Sequence, residues 1–387
     1  MKAALLLVSV ICVPLWAHLC AISGNAQGIS PECAPAQQQL KAAELAAAQS
    51  DWSTASTHYR EAIQVSPACV EAAVNLGVIY NRLNQSEKAI KTFNEALAKN
   101  PKLFAAHLNL GITYFRSNRY DLAKESLRNA LKLNSGNAQA RQLLALSLIA
   151  LEEFKEAATE LEQLIKLTPP NAGTFVALGK MYLRLKRYPD AASTFKRALQ
   201  LEPNTAKTHL LLGEALDNAG EADHAIQEFR RAIELEPSLP EAHYALGHVF
   251  LKRGNVDEAL AEFQKELQLN PEMLLARYQV GKIYFRRDKL DQAVAELTTV
   301  VDKDPTFRPA LETLAQARFK QGAINDAISL LERAVALDPN WPQAFALLGR
   351  AYTRAGRRED AKKAFATAQR LSAEERKRLE DAVSKPK

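Results

Sequence analysis

Aromatic residues are scarce in this chain: 14 Phe, 10 Tyr and 3 Trp among 387 residues. A core cannot rest on large rings here and must be assembled mostly from Leu, Ala, Val and Ile. Charge of one sign is also lacking. Fifty basic residues against 44 acidic ones leave a net charge of +6 spread along the chain, which is weak ground for a polyanionic partner. Catalytic signatures are missing. There is no G-x-x-x-x-G-K-[ST] loop to cradle phosphates, no G-x-G-x-x-G turn and no H-E-x-x-H helix. His243 and His248 stand five apart, the wrong spacing for sharing a metal on one helix face. No metal or cofactor is expected, and no residue reads as catalytic.

Cysteine is rare and confined to the start: Cys12, Cys20, Cys33 and Cys69. One long apolar run occurs, from Ala3 to Ile22 behind Lys2, broken by Pro14 and His18. A small, polar stretch follows, Ser23-Gly24-Asn25-Ala26-Gln27. This three-part pattern reads as a secretory signal over residues 1–26, with Gly24 and Ala26 as the small residues before the cut. A run of about 20 residues is also long enough to span a bilayer, so a retained segment tethering the chain to a membrane is the alternative. Lipid attachment at Cys20 fits less well, because Leu19 stands where such boxes carry a small residue. The expected location is exported: periplasmic, envelope-associated or extracellular.

What the sequence has in abundance is repetition. A ruler of 34 residues laid from Ala36 marks ten units, starting at Ala36, Val70, Phe104, Ala138, Ala172, Ala206, Pro240, Leu274, Arg308 and Pro342 and ending at Glu375. There is no insertion or deletion between them. Position 20 is alanine in all ten, from Ala55 to Ala361. Position 8 is Gly seven times (Gly77, Gly111, Gly179, Gly213, Gly247, Gly281, Gly349) and otherwise Ala43, Ala145 or Ala315. Position 32 is Pro in eight units; only Ser135 and Ala373 depart.

Each column has a physical reason. Positions 4, 7, 8 and 11 share one face of a first helix, and 20, 24, 27 and 28 one face of a second. Between them, position 15 is Gly or Asn six times (Asn84, Asn118, Gly220, Gly254, Gly322, Gly356), residues that tolerate the left-handed conformation ending a helix. Each unit is therefore expected to be helix, tight turn, antiparallel helix, with small residues at 8 and 20 letting the two backbones approach. Proline at 32 stops the second helix. Pro240 and Pro342 are expected to open their helices, where a missing N–H costs nothing.

These columns resemble the tetratricopeptide repeat, whose signature is L-G-x-x-Y, A-x-x-x-F and P at period 34. Leu76-Gly77, Tyr80, Ala89, Phe93, Ala96 and Pro101 match it, as do Leu178-Gly179, Tyr182, Ala191, Phe195, Ala198 and Pro203. One departure is consistent: the family's Trp at position 4 gives way to Ala73, His107, Arg141, Phe175, His209 and His243. The resemblance covers 340 of the 387 residues and implies an all-α, right-handed superhelical solenoid. The expected layout is a short N-terminal segment over 27–35, ten repeats over 36–375, and the rest of a capping helix with a tail over 376–387. Ser372-Ala373-Glu374-Glu375 reads as a capping box opening that last helix, with Leu379 and Val383 left to pack and a frayed tail after them.

Cys33 precedes the first helix of repeat 1 and Cys69 ends the second. Because the helices are antiparallel, those ends should be neighbours, and a Cys33–Cys69 disulfide is expected; two free thiols are the alternative.

The resemblance implies a concave groove lined by first helices, chiefly at positions 2, 5, 9, 12 and 13. Those positions hold Tyr244, His248, Tyr278, Lys282, Phe285, Arg286 and Phe319 in repeats 7 to 9, and Phe115 and Arg116 in repeat 3. Aromatic rings with basic neighbours are common binding hot spots, so these are the candidate partner-binding residues. Packing against the neighbouring helix is the competing reading, chiefly for the apolar groove residues of repeats 2 to 4. Position 13 is basic seven times, from Arg82 to Arg354, either as a cationic stripe for acidic peptides or because a cation suits a helix C-terminus. The function expected is a non-catalytic scaffold that binds a protein or peptide in the groove. An envelope polysaccharide-assembly factor binding glycan is one alternative. A helical-repeat nucleic-acid binder is the least favoured, and no nucleic-acid partner is expected.

Overall fold

The computed structural model describes residues 30–169 and 171–384. The segment expected to be a signal, the tail beyond Ser384 and the packing expected of Leu379 and Val383 lie outside the described residues and side chains. Among the described residues there are twenty α-helices and no strand. They fall into two compact units divided between Ala219 and Gly220.

The first unit holds α1 (Gln37–Ala48), α2 (Trp52–Val65), α3 (Val70–Arg82), α4 (Ser86–Lys99), α5 (Phe104–Arg116), α6 (Tyr120–Leu133), α7 (Ala138–Ala150), α8 (Phe154–Leu167), α9 (Ala172–Arg184), α10 (Tyr188–Leu201) and α11 (Ala206–Asn218). The second holds α12 (Ala222–Leu235), α13 (Ala242–Lys252), α14 (Val256–Leu269), α15 (Leu274–Arg286), α16 (Leu290–Lys303), α17 (Arg308–Gln321), α18 (Ile324–Leu337), α19 (Pro342–Arg354) and α20 (Arg358–Ser384). Within each unit an odd-numbered helix pairs with the even-numbered helix after it, and each even-numbered helix packs on the next odd-numbered one. This is the solenoid-like stacking that the period of 34 predicts.

The turn inside each repeat is left-handed in all ten copies. Asn84 has φ 57°, Asn118 57° and Gly356 77°, but so do Ser50 at 61°, Glu152 at 61°, Lys186 at 58° and Asp288 at 57°. The turn is set by its hydrogen bonds as much as by its residue. Gln85 N donates to Tyr80 O over 2.8 Å, and Arg119 N to Tyr114 O over 2.9 Å, the wide bond that closes a helix C-terminus and satisfies a carbonyl left over by the last turn.

Position 8 is small for a second reason besides the one expected. Gly77 faces the ring of Phe93, Gly179 that of Phe195, and Gly111 the side chain of Leu127. The missing side chain makes room chiefly for residue 24 of the same repeat, and the backbones also come close: a Cβ at Gly247 would lie 3.2 Å from Ala259 O, and one at Gly111 3.4 Å from Leu127 N. The ring then stays buried under the next repeat. Phe93 and Ala96 share a core with Ala106 and Leu110, which lie at positions 3 and 7 of repeat 3. Tyr59 and Ala62 do the same with Ala72, Leu76 and Ile79, and Leu297 and Val300 with Ala310, Leu314 and Ala317.

Cys33 and Cys69 are joined as a disulfide with their Cα atoms 4.6 Å apart. Ser66 Oγ donates to Glu32 O over 2.5 Å beside it. Two other expectations are corrected. Pro342 does open α19, but Pro240 does not open α13, which begins at Ala242 after Glu241 in a left-handed conformation, φ 69°. No break occurs at Ser372 either: α20 runs unbroken from Arg358 to Ser384, so the capping segment continues the second helix of repeat 10. Ser372-Ala373-Glu374-Glu375 reads locally as a helix start, yet Ala373 replaces the proline of position 32 and nothing interrupts the backbone hydrogen bonds.

Candidate functional site

The shortened start of α13 sets up the first candidate residue. In most repeats position 27 is alanine, but repeat 7 carries Glu266, which is fully buried. Its carboxylate accepts from Glu241 N over 3.1 Å and from Tyr244 N over 3.3 Å. Two N–H groups at the start of a helix are thus satisfied by a side chain of the second helix. Tyr244 is held there half-buried. Its ring stacks on His248 with centroids 6.3 Å apart and leans on Phe263 at 5.6 Å. Burial pushes the Tyr244 hydroxyl pKa up.

The next first helix repeats the arrangement with a cation. On α15 the Tyr278 ring rests against Phe307 at 5.3 Å, and Lys282 Nζ lies 5.6 Å from its centroid. Lys282 also acts on Glu312 of α17. The Glu312 carboxyl pKa is raised by burial, while the hydrogen bond from Gln316 and the charges of Arg308 and Lys282 oppose that rise. Glu312 and Gln316 occupy positions 5 and 9 of repeat 9, the columns that hold Tyr278 and Lys282 in repeat 8. Helices α15, α17 and α19 touch one another in turn, so these residues belong to one continuous surface of the second unit.

The position-13 cations do something the sequence reading missed. They reach back onto the preceding repeat. Lys320 Nζ lies 4.9 Å from the Phe285 ring and bonds Asp288 Oδ1 over 3.0 Å. Arg354 stands 5.2 Å from the Phe319 ring, Arg184 4.8 Å from Phe154 and Arg82 5.6 Å from Trp52. Phe285 and Phe319 are therefore roofed by the next repeat's cation. Arg286 is exposed and has no ion pair among the described residues.

In the first unit the candidates part ways. Phe115 is buried, edge-on to Tyr120 at 5.6 Å, so it belongs to the packing. Arg116 is exposed and reaches Asn84 Oδ1 over 3.5 Å. Lys180, on the same face of α9, is half-buried; burial lowers its ammonium pKa, and the charge of Lys207 lowers it further.

Position 4 also has a defined task. His107 Nε2 bonds Pro101 O over 3.0 Å, His209 Nε2 bonds Pro203 O over 2.9 Å and Arg277 Nη2 donates to Pro271 O over 3.0 Å. Each ties its helix to the loop carbonyl six residues back, and His243 instead bonds Glu262 over 2.5 Å. Among the described residues no cluster of His, Cys, Asp and Glu could hold a metal ion, and no helix is long and apolar enough to cross a membrane.

Comparison with known proteins agrees with this architecture. A family profile described as "Cilia and flagella-associated protein 70 C-terminal domain", of the tetratricopeptide type, matches residues 19–243. A tetratricopeptide repeat profile matches residues 318–384, and one for anaphase-promoting complex, cyclosome, subunit 3 matches 218–300. No curated protein matches. Among solved structures the chain is similar to YrrB, a TPR protein with an unusual peptide-binding site, at 24% identity over 48% of this chain and 96% of that one, TM-score 0.43. It is similar to MamA from Desulfovibrio magneticus RS-1 at 23% identity over 44% and 96%, TM-score 0.42. PilW, a type IV pilus biogenesis factor, shows 22% identity over 51% and 92%, TM-score 0.44.

Proposed function

Because the chain belongs to the tetratricopeptide-repeat family, we propose that it is a non-catalytic scaffold whose second unit binds a protein or peptide along α13, α15 and α17. The observation that carries this reading is the row Tyr244–His248 and Tyr278–Lys282, half-buried ring-and-base pairs at positions 5 and 9 of consecutive repeats. Half-buried rings keep one face for a partner while their backs are fixed by Phe263 and Phe307. Such anchors lose little conformational freedom on binding. Lys282 beside Glu312 adds polar selectivity.

The scaffold is proposed to act outside the reducing cytosol, in the periplasm, the envelope or the medium. The buried Cys33–Cys69 bridge supports this, since structural disulfides persist in oxidising compartments.

Affinity capture from the native host with the mature chain tests the binding site. The comparison is with a Tyr244→Ala, Tyr278→Ala variant matched for thermal stability, and with Lys282→Glu. A partner held by wild type and lost with both variants supports the site. Equal capture by all three places binding elsewhere and overturns it.

A further inference from the structure

The last repeat leaves one core half-built. Phe365 and Ala368 stand at positions 24 and 27, where every earlier repeat is covered by the helix that follows. Phe93, Phe195 and Phe263 are 0% exposed, yet Phe365 is 37% exposed. Around it lies an open groove of about 520 Å³, lined by Pro342, Ala346, Phe365, Ala368, Ser372 and Arg376, among others. This is the seat that the first helix of an eleventh repeat would take. Among the described residues no helix takes that seat, because α20 runs straight on past Ser372.

We propose that this groove receives an amphipathic helix from a partner protein, one carrying Ala-x-x-x-Leu with a small or aliphatic residue three further on. The internal interfaces define that chemistry. Positions 24 and 27 are covered by Ala72, Leu76 and Ile79 in one repeat, and by Ala310, Leu314 and Ala317 in another. The alanine lets the helix sit close, and the leucine fills the space beside the position-24 side chain. Arg376 at the rim has no ion pair among the described residues, so the partner helix carries an acidic residue on that edge. A second copy of this chain is a poorer occupant. Its first helix has Gln38 and Ala42 at the alanine and leucine positions.

The test uses a labelled, acetylated and amidated peptide of the α17 sequence RPALETLAQARFKQ, which has the required Ala, Leu and acidic residue. Fluorescence anisotropy with the full chain should show saturable binding. Ala373→Arg, on the exposed rim, should weaken it at least tenfold without touching the core; Phe365→Ala, which also removes the ring seated against Gly349, should weaken it as well. A peptide with Leu314→Lys should not bind. Binding should survive Tyr278→Ala, which separates this groove from the surface proposed above. Absence of saturable binding, or equal binding by the Ala373→Arg chain, overturns the proposal. So does concentration-dependent dimerisation abolished by Ala373→Arg, which would assign the groove to a second copy.

Discussion

Gly77 and Phe93 share a space that holds one side chain: a Cβ added at residue 77 would lie 2.4 Å from Cε1 of the ring. Two further ring carbons would lie within 2.8 Å. Gly77→Ala should therefore destabilise the chain. Overpacking costs about 1–3 kcal/mol, against which helix propensity restores about 1 kcal/mol. Two repeats already combine alanine at position 8 with leucine at position 24, Ala145 with Leu161 and Ala315 with Leu331. In denaturant titrations the double substitution Gly77→Ala, Phe93→Leu should thus be less damaging than the sum of the singles, with a coupling of about 1 kcal/mol. Additive effects would mean the two side chains do not compete.

Tyr182 and Tyr352 make the same link in the two units. Each hydroxyl donates to a glutamate of the preceding repeat, Glu162 at 2.7 Å and Glu332 at 2.6 Å. Burial, then the bonded carboxylate, pushes both hydroxyl pKa values up to about 12. A folded pKa above the unfolded value of about 10 means the stabilisation is complete below pH 10 and fades as pH rises towards 12. Tyr182→Phe should cost about 1 kcal/mol at pH 8, and the gap to wild type should close by pH 12. A gap that stays constant to pH 12 would show that the hydroxyl's contribution does not depend on its keeping the proton.

Glu266→Ala restores the residue usual at position 27 but leaves the N–H groups of Glu241 and Tyr244 without their acceptor. An orphaned donor costs about 1–3 kcal/mol, so the substitution should lower stability by about 2 kcal/mol. Hydrogen exchange at the Tyr244 amide should speed up before any global change. An unchanged exchange rate would mean that α13 re-forms its first turn without the carboxylate.

Lys180→Met should raise stability at pH 7, by at most about 1 kcal/mol, since a partly exposed charge is screened. The lysine's folded pKa is lowered, so its penalty is largest when it is charged. It is relieved as pH rises through the folded value towards the unfolded value of about 10.4. Thermal melts at pH 7 and pH 10.5 should show the variant's advantage shrinking. A variant less stable at pH 7 would reveal packing by the lysine stem that outweighs its charge.

Much of this architecture is legible in the sequence because each repeat reports the same geometry independently. The alanine column from Ala55 to Ala361 places the second helix, and Pro101 or Pro203 marks where it stops. The turn at Lys186 was not legible: a lysine does not announce a positive φ, and the hydrogen bonds that impose it come from the helix before. Neither were the reach-back contacts, since Lys320 finds Phe285 and Asp288 only after two repeats have stacked. The aromatic candidates divided for the same reason. Phe115 and Tyr244 look alike in sequence, yet Tyr120 covers one, while Glu266 and a shortened helix hold the other part-way out. Glu266 stands out in its column, but the partners of its carboxylate, Glu241 N and Tyr244 N, depend on a helix start that the repeat pattern does not specify.

The latches described above connect residues that are near in sequence. Lys320 to Asp288 spans 32 residues, Ser66 to Glu32 34, and the disulfide 36. None of these has to wait for the far end of the chain. A polypeptide wired this way can settle repeat by repeat as it emerges during synthesis or passage through a pore, each new pair docking on the one before. The disulfide that fastens its opening repeat needs only the first 69 residues.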